Sequence, residues 1–157
     1  MGIKTSIEIV AEVACGHCGE ENKLFELTEA AADTGVNSIK FQIFEVHERS
    51  EKNTKEESIF SSLYLDPSVY LESIRIAQGY GLKTYADIYG EESLSHAKGL
   101  DLDGIKIHAE DFGNISLIEN CVREFKKVII SAGGSSYKSL TELRDFLINL
   151  KINYPDR

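Results

Sequence analysis

Leu82–His108 reads LKTYADIYGEESLSHAKGLDLDGIKIH, and this stretch decides the fold. An apolar run of strand length, Leu82–Tyr89, is followed by a short helical pattern, Glu91–Lys98, and then by a second apolar run, Gly104–His108. Strand, helix and strand in close succession predict parallel strands joined by a helical crossover. The same alternation continues on both sides. Upstream, Ile7–Ala14 (IEIVAEVA) reads as a strand whose two faces are both apolar. A helix from about Glu20 to Thr34 puts Leu24, Leu27 and Ala31 on one face and stops at Gly35. Ser38–Phe44 (SIKFQIF) is the second strand. Asp66 caps the next helix, with Pro67 at its first position and Gly79 and Gly81 at its end. Downstream, Asn114 caps a helix carrying Ile115, Ile118 and Phe125, with Cys121 or Val122 on the same face. Lys127–Ala132 is the fifth strand, and Ser139 with Glu142 forms a capping box ahead of Leu143, Phe146, Leu147 and Leu150. The charged stretch from Glu45 to about Ser58 (EVHERSEKNTKEES) has no apolar period and reads as a solvated loop.

The count is five strands and five helices, an α/β pattern. It fits part of a barrel or a small doubly wound sheet, and periodicity does not choose between them. A complete (β/α)8 barrel takes about 250 residues. The 157 residues here hold about five such units of eight.

Composition sets further bounds. With 42% hydrophobic and 27% charged residues, the chain reads as one globular domain over residues 1–157. Net charge is −9, from 26 acidic and 17 basic residues, which argues against a nucleic-acid partner. No apolar run approaches the roughly 20 residues that span a bilayer, and the N-terminus lacks a signal-peptide pattern. A soluble, cytoplasmic protein is expected. The odd number of cysteines, three, argues against a disulfide framework.

Ligands of parallel α/β folds bind at the carboxyl ends of the strands. The polar residues there are Glu12 and His17, then Lys40 and Gln42, then Asp87. They continue with Lys106 and His108, Glu110 and Asp111 just beyond, and finally Ser131 with Gly133 and Gly134. Alternation places Lys40 and Gln42 on one face of their strand, and Lys106 and His108 on one face of theirs. A lysine buried in an apolar strand is costly unless paired. Two of them in different strands point to an anion held between them. The alternative is a pair of buried ion pairs with Glu12 and Asp111, or lysines at solvated strand ends.

Cys15-Gly16-His17-Cys18 resembles the dithiol motif of protein disulfide isomerases and raises a thiol–disulfide reading. Ala14 stands where an aromatic residue is expected, and neither Pro67 nor Pro155 suits a cis-proline beside the motif. A structural zinc site needs four ligands, and no second CxxC exists. His47 and His96 read as exposed, and Cys121 as core. Ser131–Ser136 (SAGGSS) is a glycine-rich turn without the spacing of a nucleotide loop.

Four short motifs, in order and on the right strands, resemble the N-terminal barrel of the sialic acid (N-acetylneuraminate) synthases. They are AEVACGHCG, which keeps Ala11, Glu12, His17 and Gly19; Lys40-Phe41-Gln42; Lys106-Ile107 with Asp111; and Ser131-Ala132-Gly133. The resemblance runs from about Ile7 to Leu150. It implies a partial TIM barrel that condenses phosphoenolpyruvate with an N-acetylated amino sugar. Glu12, Lys40 and Lys106 are the implied catalytic residues, and Gln42, Asp87, His108, Asp111, Ser131 and Gly133 the implied substrate contacts. Lys40, Lys106 and Ser131 would hold the phosphate and carboxylate, and Glu12, Gln42 and Asp111 would face the sugar. The family's divalent metal, manganese or magnesium, is bound by later strands, so no metal ligand is expected in this chain.

The chain departs from the family at Ala86-Asp87, where the family carries Ser-Thr, and at Ala109, which replaces a serine. A carboxylate near a phosphate is repulsive unless protonated or bridged. A non-catalytic barrel domain is therefore a further reading. An incomplete barrel leaves unpaired edges beside the first and fifth strands, so association with another copy is expected.

Overall fold

The computed structural model describes residues 7–153. Its five strands are β1 (Val10–Glu12), β2 (Ser38–Gln42), β3 (Lys83–Ile88), β4 (Gly104–Ile107) and β5 (Val128–Ile130). They form one parallel sheet in the order β1-β2-β3-β4-β5. Each strand pairs with the next one in sequence. The sheet therefore winds in one direction, as a barrel does, and does not grow outward from a central strand. This resolves the choice left open by periodicity: the chain is a partial (β/α) barrel whose edges are β1 and β5.

The helices are α1 (Glu21–Asp33), α2 (Val46–Arg49), α3 (Lys55–Leu63), α4 (Pro67–Gly79), α5 (Glu91–Lys98), α6 (Ile115–Glu124) and α7 (Tyr137–Asn153), with a 3-10 turn at Ala109–Asp111. Asp66 caps α4 by accepting from the Ser68 amide at 2.9 Å, and Asn114 caps α6 by accepting from the Leu117 amide at 3.2 Å. Gly35, at φ 76°, follows α1 where a side chain would be strained.

The two faces of the sheet are chemically opposite. Ile39, Phe41, Ala86, Ile88, Ile105 and Ile107 are fully buried and point toward the helices. Ile39, Phe41 and Ala86 merge with Leu24, Val69, Ile74 and Ala77 of α1 and α4 into one core, whereas Ile88, Ile105 and Ile107 pack with α5, α6 and α7. A second core gathers Leu94, Leu117, Ile118, Cys121 and Leu143 from α5, α6 and α7. Burying each such side chain contributes about 1.5–3 kcal/mol. The register sets Glu12 beside Lys40, Gln42 beside Asp87 and Asp87 beside Lys106. These residues share the other face, the one a barrel turns inward.

Four expectations need correction. Ile7–Ala14 yields only the three-residue β1; Ile7 and Ile9 are exposed, and the left-handed φ of Ala14, 47°, turns the chain away from the sheet. The stretch from Glu45 to Ser58 is not a loop. It forms α2 and starts α3, making seven α-helices among the described residues. Glu45 and Glu48 cap α2 reciprocally, the Thr54 hydroxyl accepts from the Glu57 amide at 3.1 Å, and Phe60 packs edge-on against Phe44. Ser139 and Glu142 do not box the last helix, because α7 begins two residues before Ser139 and Ser136 accepts from the Ser139 amide. His96 is half-buried, not exposed: its Nε2 lies 2.8 Å from Glu45 Oε1.

Candidate functional site

Three neighbouring strands deliver one cluster. Asp87, 1% exposed near the end of β3, accepts from Lys40 of β2 at 2.7 Å and from Lys106 of β4 at 3.0 Å on each carboxylate oxygen. Lys40 also pairs with Glu12 of β1. Burial disfavours the charged form of Lys40, but the hydrogen bonds to Asp87 and Glu12 outweigh it and hold the ammonium above its usual range. The position between the two lysines is filled by a carboxylate of the chain itself, which is the ion-pair alternative and not an external anion. The alternative pairing with Glu12 holds for Lys40. The carboxylate on Lys106 is Asp87 and not Asp111.

Around this cluster lie the other expected residues. Gln42 Oε1 accepts from Cys15 Sγ at 3.5 Å, which draws the loop after β1 over the strand ends. His108 follows β4, and its ring lies 4.8 Å from that of Tyr89. Asp111 sits in the 3-10 turn and accepts from Asn114 at 3.2 Å; burial raises its carboxyl pKa despite that bond. The Ser131 amide continues the ladder to Ile107 O, and Gly133 is exposed in the loop beyond. Among the described residues no hydrogen bond joins either to Lys40 or Lys106.

The thiols are free. Burial raises the Cys15 pKa, the reverse of a reactive thiolate. Cys121 is core as expected, its thiol pushed up to about 12. His17 is fully buried, with Nδ1 accepting from the Gly19 amide at 3.1 Å, so it shapes the turn that carries Cys15. Gly19, at φ 79°, faces the Ser62 carbonyl so closely that a Cβ would overlap it. That contact docks α3 against the turn.

Two neighbours escaped sequence reasoning. The Arg49 guanidinium lies over the Tyr89 ring at 3.9 Å and the Phe60 ring at 4.5 Å, and no carboxylate pairs with it among the described residues. An arginine in a charged stretch gives no periodic signal. Tyr89 carried one weak signal, its place at the end of an apolar strand.

Glu45, His47 and Glu92 bring one donor atom each within 4.8 Å of one another. The group sits on the rim, with His47 and Glu92 largely exposed, and Glu45 Oε1 is already engaged by His96 and by the Tyr64 hydroxyl at 3.3 Å. It is separate from the Lys40–Asp87–Lys106 cluster. Among the described residues no helix is long and apolar enough to cross a membrane.

Comparison with known proteins agrees with this geometry. A family model described as the NeuB family matches residues 27–153. An N,N'-diacetyllegionaminic acid synthase of Legionella pneumophila is 25% identical over 139 residues, covering 80% of this chain and 39% of the relative. One from Campylobacter jejuni is 26% identical over 153 residues, covering 88% and 46%. The structure of an N-acetylneuraminic acid (sialic acid) synthetase from Leptospira borgpetersenii, in complex with citrate, superposes with a TM-score of 0.86 at 22% identity. It covers 96% of this chain and 55% of that one. The chain spans less than half the length of these curated relatives.

Proposed function

The chain belongs to the NeuB family, the sialic acid synthase family, and from that premise we propose that it forms the enolpyruvate-binding half of a synthase. The reaction joins phosphoenolpyruvate to an N-acetylated amino sugar. C3 of the enolpyruvate attacks the sugar aldehyde carbon, water adds at C2, and phosphate leaves with the C2–O bond electrons. Substrate and intermediate are polyanionic, so ammonium groups fixed at the strand ends favour both.

The observation that carries the reading is the hydrogen-bonded set Lys40, Asp87 and Lys106, drawn from three adjacent strands at the end of the sheet where parallel folds bind ligands. Lys40 and Lys106 donate to the phosphate oxygens, with Ser131 and Gly133 closing over them from the loop after β5. Glu12, Gln42, His108 and Asp111 offer hydrogen-bonding groups to the hydroxyls of the acceptor. Asp87 orients both lysines before substrate arrives.

A divalent cation would polarise the aldehyde. The residues described here do not fit it at this site, because Glu12 and Asp87 are committed to lysines and the Glu45–His47–Glu92 group lies apart on the rim. No step is therefore assigned to a metal on these residues. The relatives extend well beyond the matched span, and the whole condensation is proposed for a polypeptide that includes that part. Residues 1–157 form one domain in this reading, and the open edges β1 and β5 favour association with a second copy. Size-exclusion chromatography tests that point.

Titration calorimetry with phosphoenolpyruvate tests the site. The wild-type chain is expected to bind, and Lys40→Ala and Lys106→Ala to bind at least tenfold more weakly. Equal heats in all three would sink the anion-site reading. A second reading, a binding domain without the chemistry, is favoured by Asp87 filling the space between the lysines. Binding without turnover in a polypeptide that spans the relatives' full length would support it.

A further inference from the structure

Two side chains beside the lysine cluster carry buried polar atoms without partners, Arg49 at Nε and Nη1 and Tyr89 at its hydroxyl; the neighbouring His108 Nδ1 makes no hydrogen bond and faces Glu110 Oε2 at 3.6 Å. They are contiguous. Phe60, Arg49, Tyr89 and His108 stack in sequence, with Arg49 3.9 Å from the Tyr89 ring and the Tyr89 and His108 rings 4.8 Å apart. Buried donors are almost always satisfied, so the neighbouring orphans on Arg49 and Tyr89 point to a group that arrives from outside. The Phe60 and Tyr89 rings both lie within cation–π distance of the guanidinium, whose Nε and Nη1 have no hydrogen-bond partner. The stack also borders the cluster: the charge of Arg49 acts on Cys15 and Tyr89, and Tyr89 feels Asp87 and Glu12 as well.

Charge balance assigns the ligand. Lys40 and Lys106 are matched by Glu12 and Asp87, so that cluster is close to neutral before any substrate binds. Arg49 is the cation at this end of the sheet that has no carboxylate among the described residues. Its planar fork fits a carboxylate better than a lysine ammonium does.

We propose that Arg49, with Tyr89 and His108, forms a carboxylate subsite beside the lysine cluster and takes the carboxylate of the enolpyruvate substrate. The lysines then receive its phosphate. This rests on the anion-site reading above and divides that site into two positions. Tyr89 and His108 donate to the outer carboxylate oxygen, and the Phe60 and Tyr89 rings hold the guanidinium in place.

The test is calorimetric titration of the 157-residue chain with phosphoenolpyruvate and, separately, with inorganic phosphate. Arg49→Met keeps the stem between the rings and removes the fork. The expected result is a tenfold or greater loss of phosphoenolpyruvate affinity with phosphate affinity unchanged, the latter also showing that the variant is folded. Wild-type affinity for both ligands in Arg49→Met overturns the subsite. If Arg49→Met loses both, Arg49→Lys decides. Phosphate affinity retained with phosphoenolpyruvate weakened supports the subsite, and any other pattern overturns it. A wild-type chain that takes neither ligand refutes the anion site itself, a different result from an unaffected Arg49 variant.

Discussion

Replacing Asp87 with asparagine tests the central cluster most directly. The carboxylate is 1% exposed and is the anion for both Lys40 and Lys106. Removing one partner of a buried ion pair typically costs about 3–5 kcal/mol, because the remaining charge is stranded. Two features reduce that here. Lys40 keeps Glu12, and the Lys106 side chain is 25% exposed and retains some water. We therefore expect a loss of about 2–3 kcal/mol for Asp87→Asn, or roughly 4–12 °C in Tm for a chain of this length. The assay is thermal unfolding in an anion-free buffer such as Tris, repeated with phosphate added. The variant should recover more of its Tm with phosphate than the wild type gains. Two lysines freed of their internal carboxylate bind the ion better, and a ligand at about 100 times its Kd stabilises by about 2.7 kcal/mol. A variant that melts like the wild type would refute the claim that Asp87 neutralises the lysines. An equal phosphate response in both proteins would refute the claim that it occupies the anion position.

Glu8 accepts from Lys127, Tyr85 and Ser38, which lowers its pKa from 4.5 to about 2. A depressed carboxylate stabilises the fold above its unfolded pKa and loses that contribution as pH falls through the folded value. Tm measured from pH 5 down to pH 2 should fall less steeply in Glu8→Gln than in the wild type. Gly19→Ala forces a Cβ onto the Ser62 carbonyl at a left-handed φ. It should cost about 2 kcal/mol and expose α3 to proteolysis ahead of the rest of the chain. Glu48 accepts from the Glu92 and Ser93 amides at 2.9 and 3.1 Å, capping α5 from a different part of the chain. Glu48→Ala should cost about 1–2 kcal/mol in denaturant unfolding, and a change below 0.3 kcal/mol would remove the cap from the account. Lys40 has a raised pKa, so its contribution is complete below its ordinary value and is lost as pH rises through the folded value. Lys40→Met should flatten the alkaline limb of the Tm profile.

The strands and most helices were legible because their signals are local. Ile39, Phe41 and Ile43 alternate with Lys40 and Gln42, and that alternation survives folding unchanged. The register that brings Asp87 between Lys40 and Lys106 is not local. It depends on where each crossover helix returns the chain, so Asp111, nearer in sequence to Lys106, was an equally good candidate partner. The stretch from Glu45 to Ser58 failed for a related reason. Its helices are too short to show an apolar period, and they form because Glu48 caps a distant helix and Arg49 fills the gap between Phe60 and Tyr89. The composition of that stretch reads as solvated, although Glu45, Glu48 and Arg49 reach His96, the start of α5 and Tyr89.

The inward face of the sheet has two polar tiers, and their difference separates structure from function. The lower tier joins Glu8, Ser38, Tyr85 and Lys127. Tyr85 donates to Glu8 at 2.7 Å, Lys127 donates to Tyr85 at 2.7 Å and to Glu8 at 2.9 Å, and Ser38 donates to Glu8 at 3.1 Å. Every member finds its partner inside the tier, as a network selected for stability alone should. The upper tier satisfies its lysines but leaves Arg49 and Tyr89 with orphaned atoms at its border. A buried polar group without a partner costs about 1–3 kcal/mol, so the two together are a standing destabilisation that a ligand would remove. Substitutions in the two tiers should therefore behave in opposite ways. Tyr85→Phe is expected to lower Tm and leave phosphoenolpyruvate affinity unchanged, whereas Tyr89→Phe should leave Tm unchanged or raised and weaken binding. The reverse pattern in paired melting and titration experiments would assign the ligand site to the wrong end of the sheet.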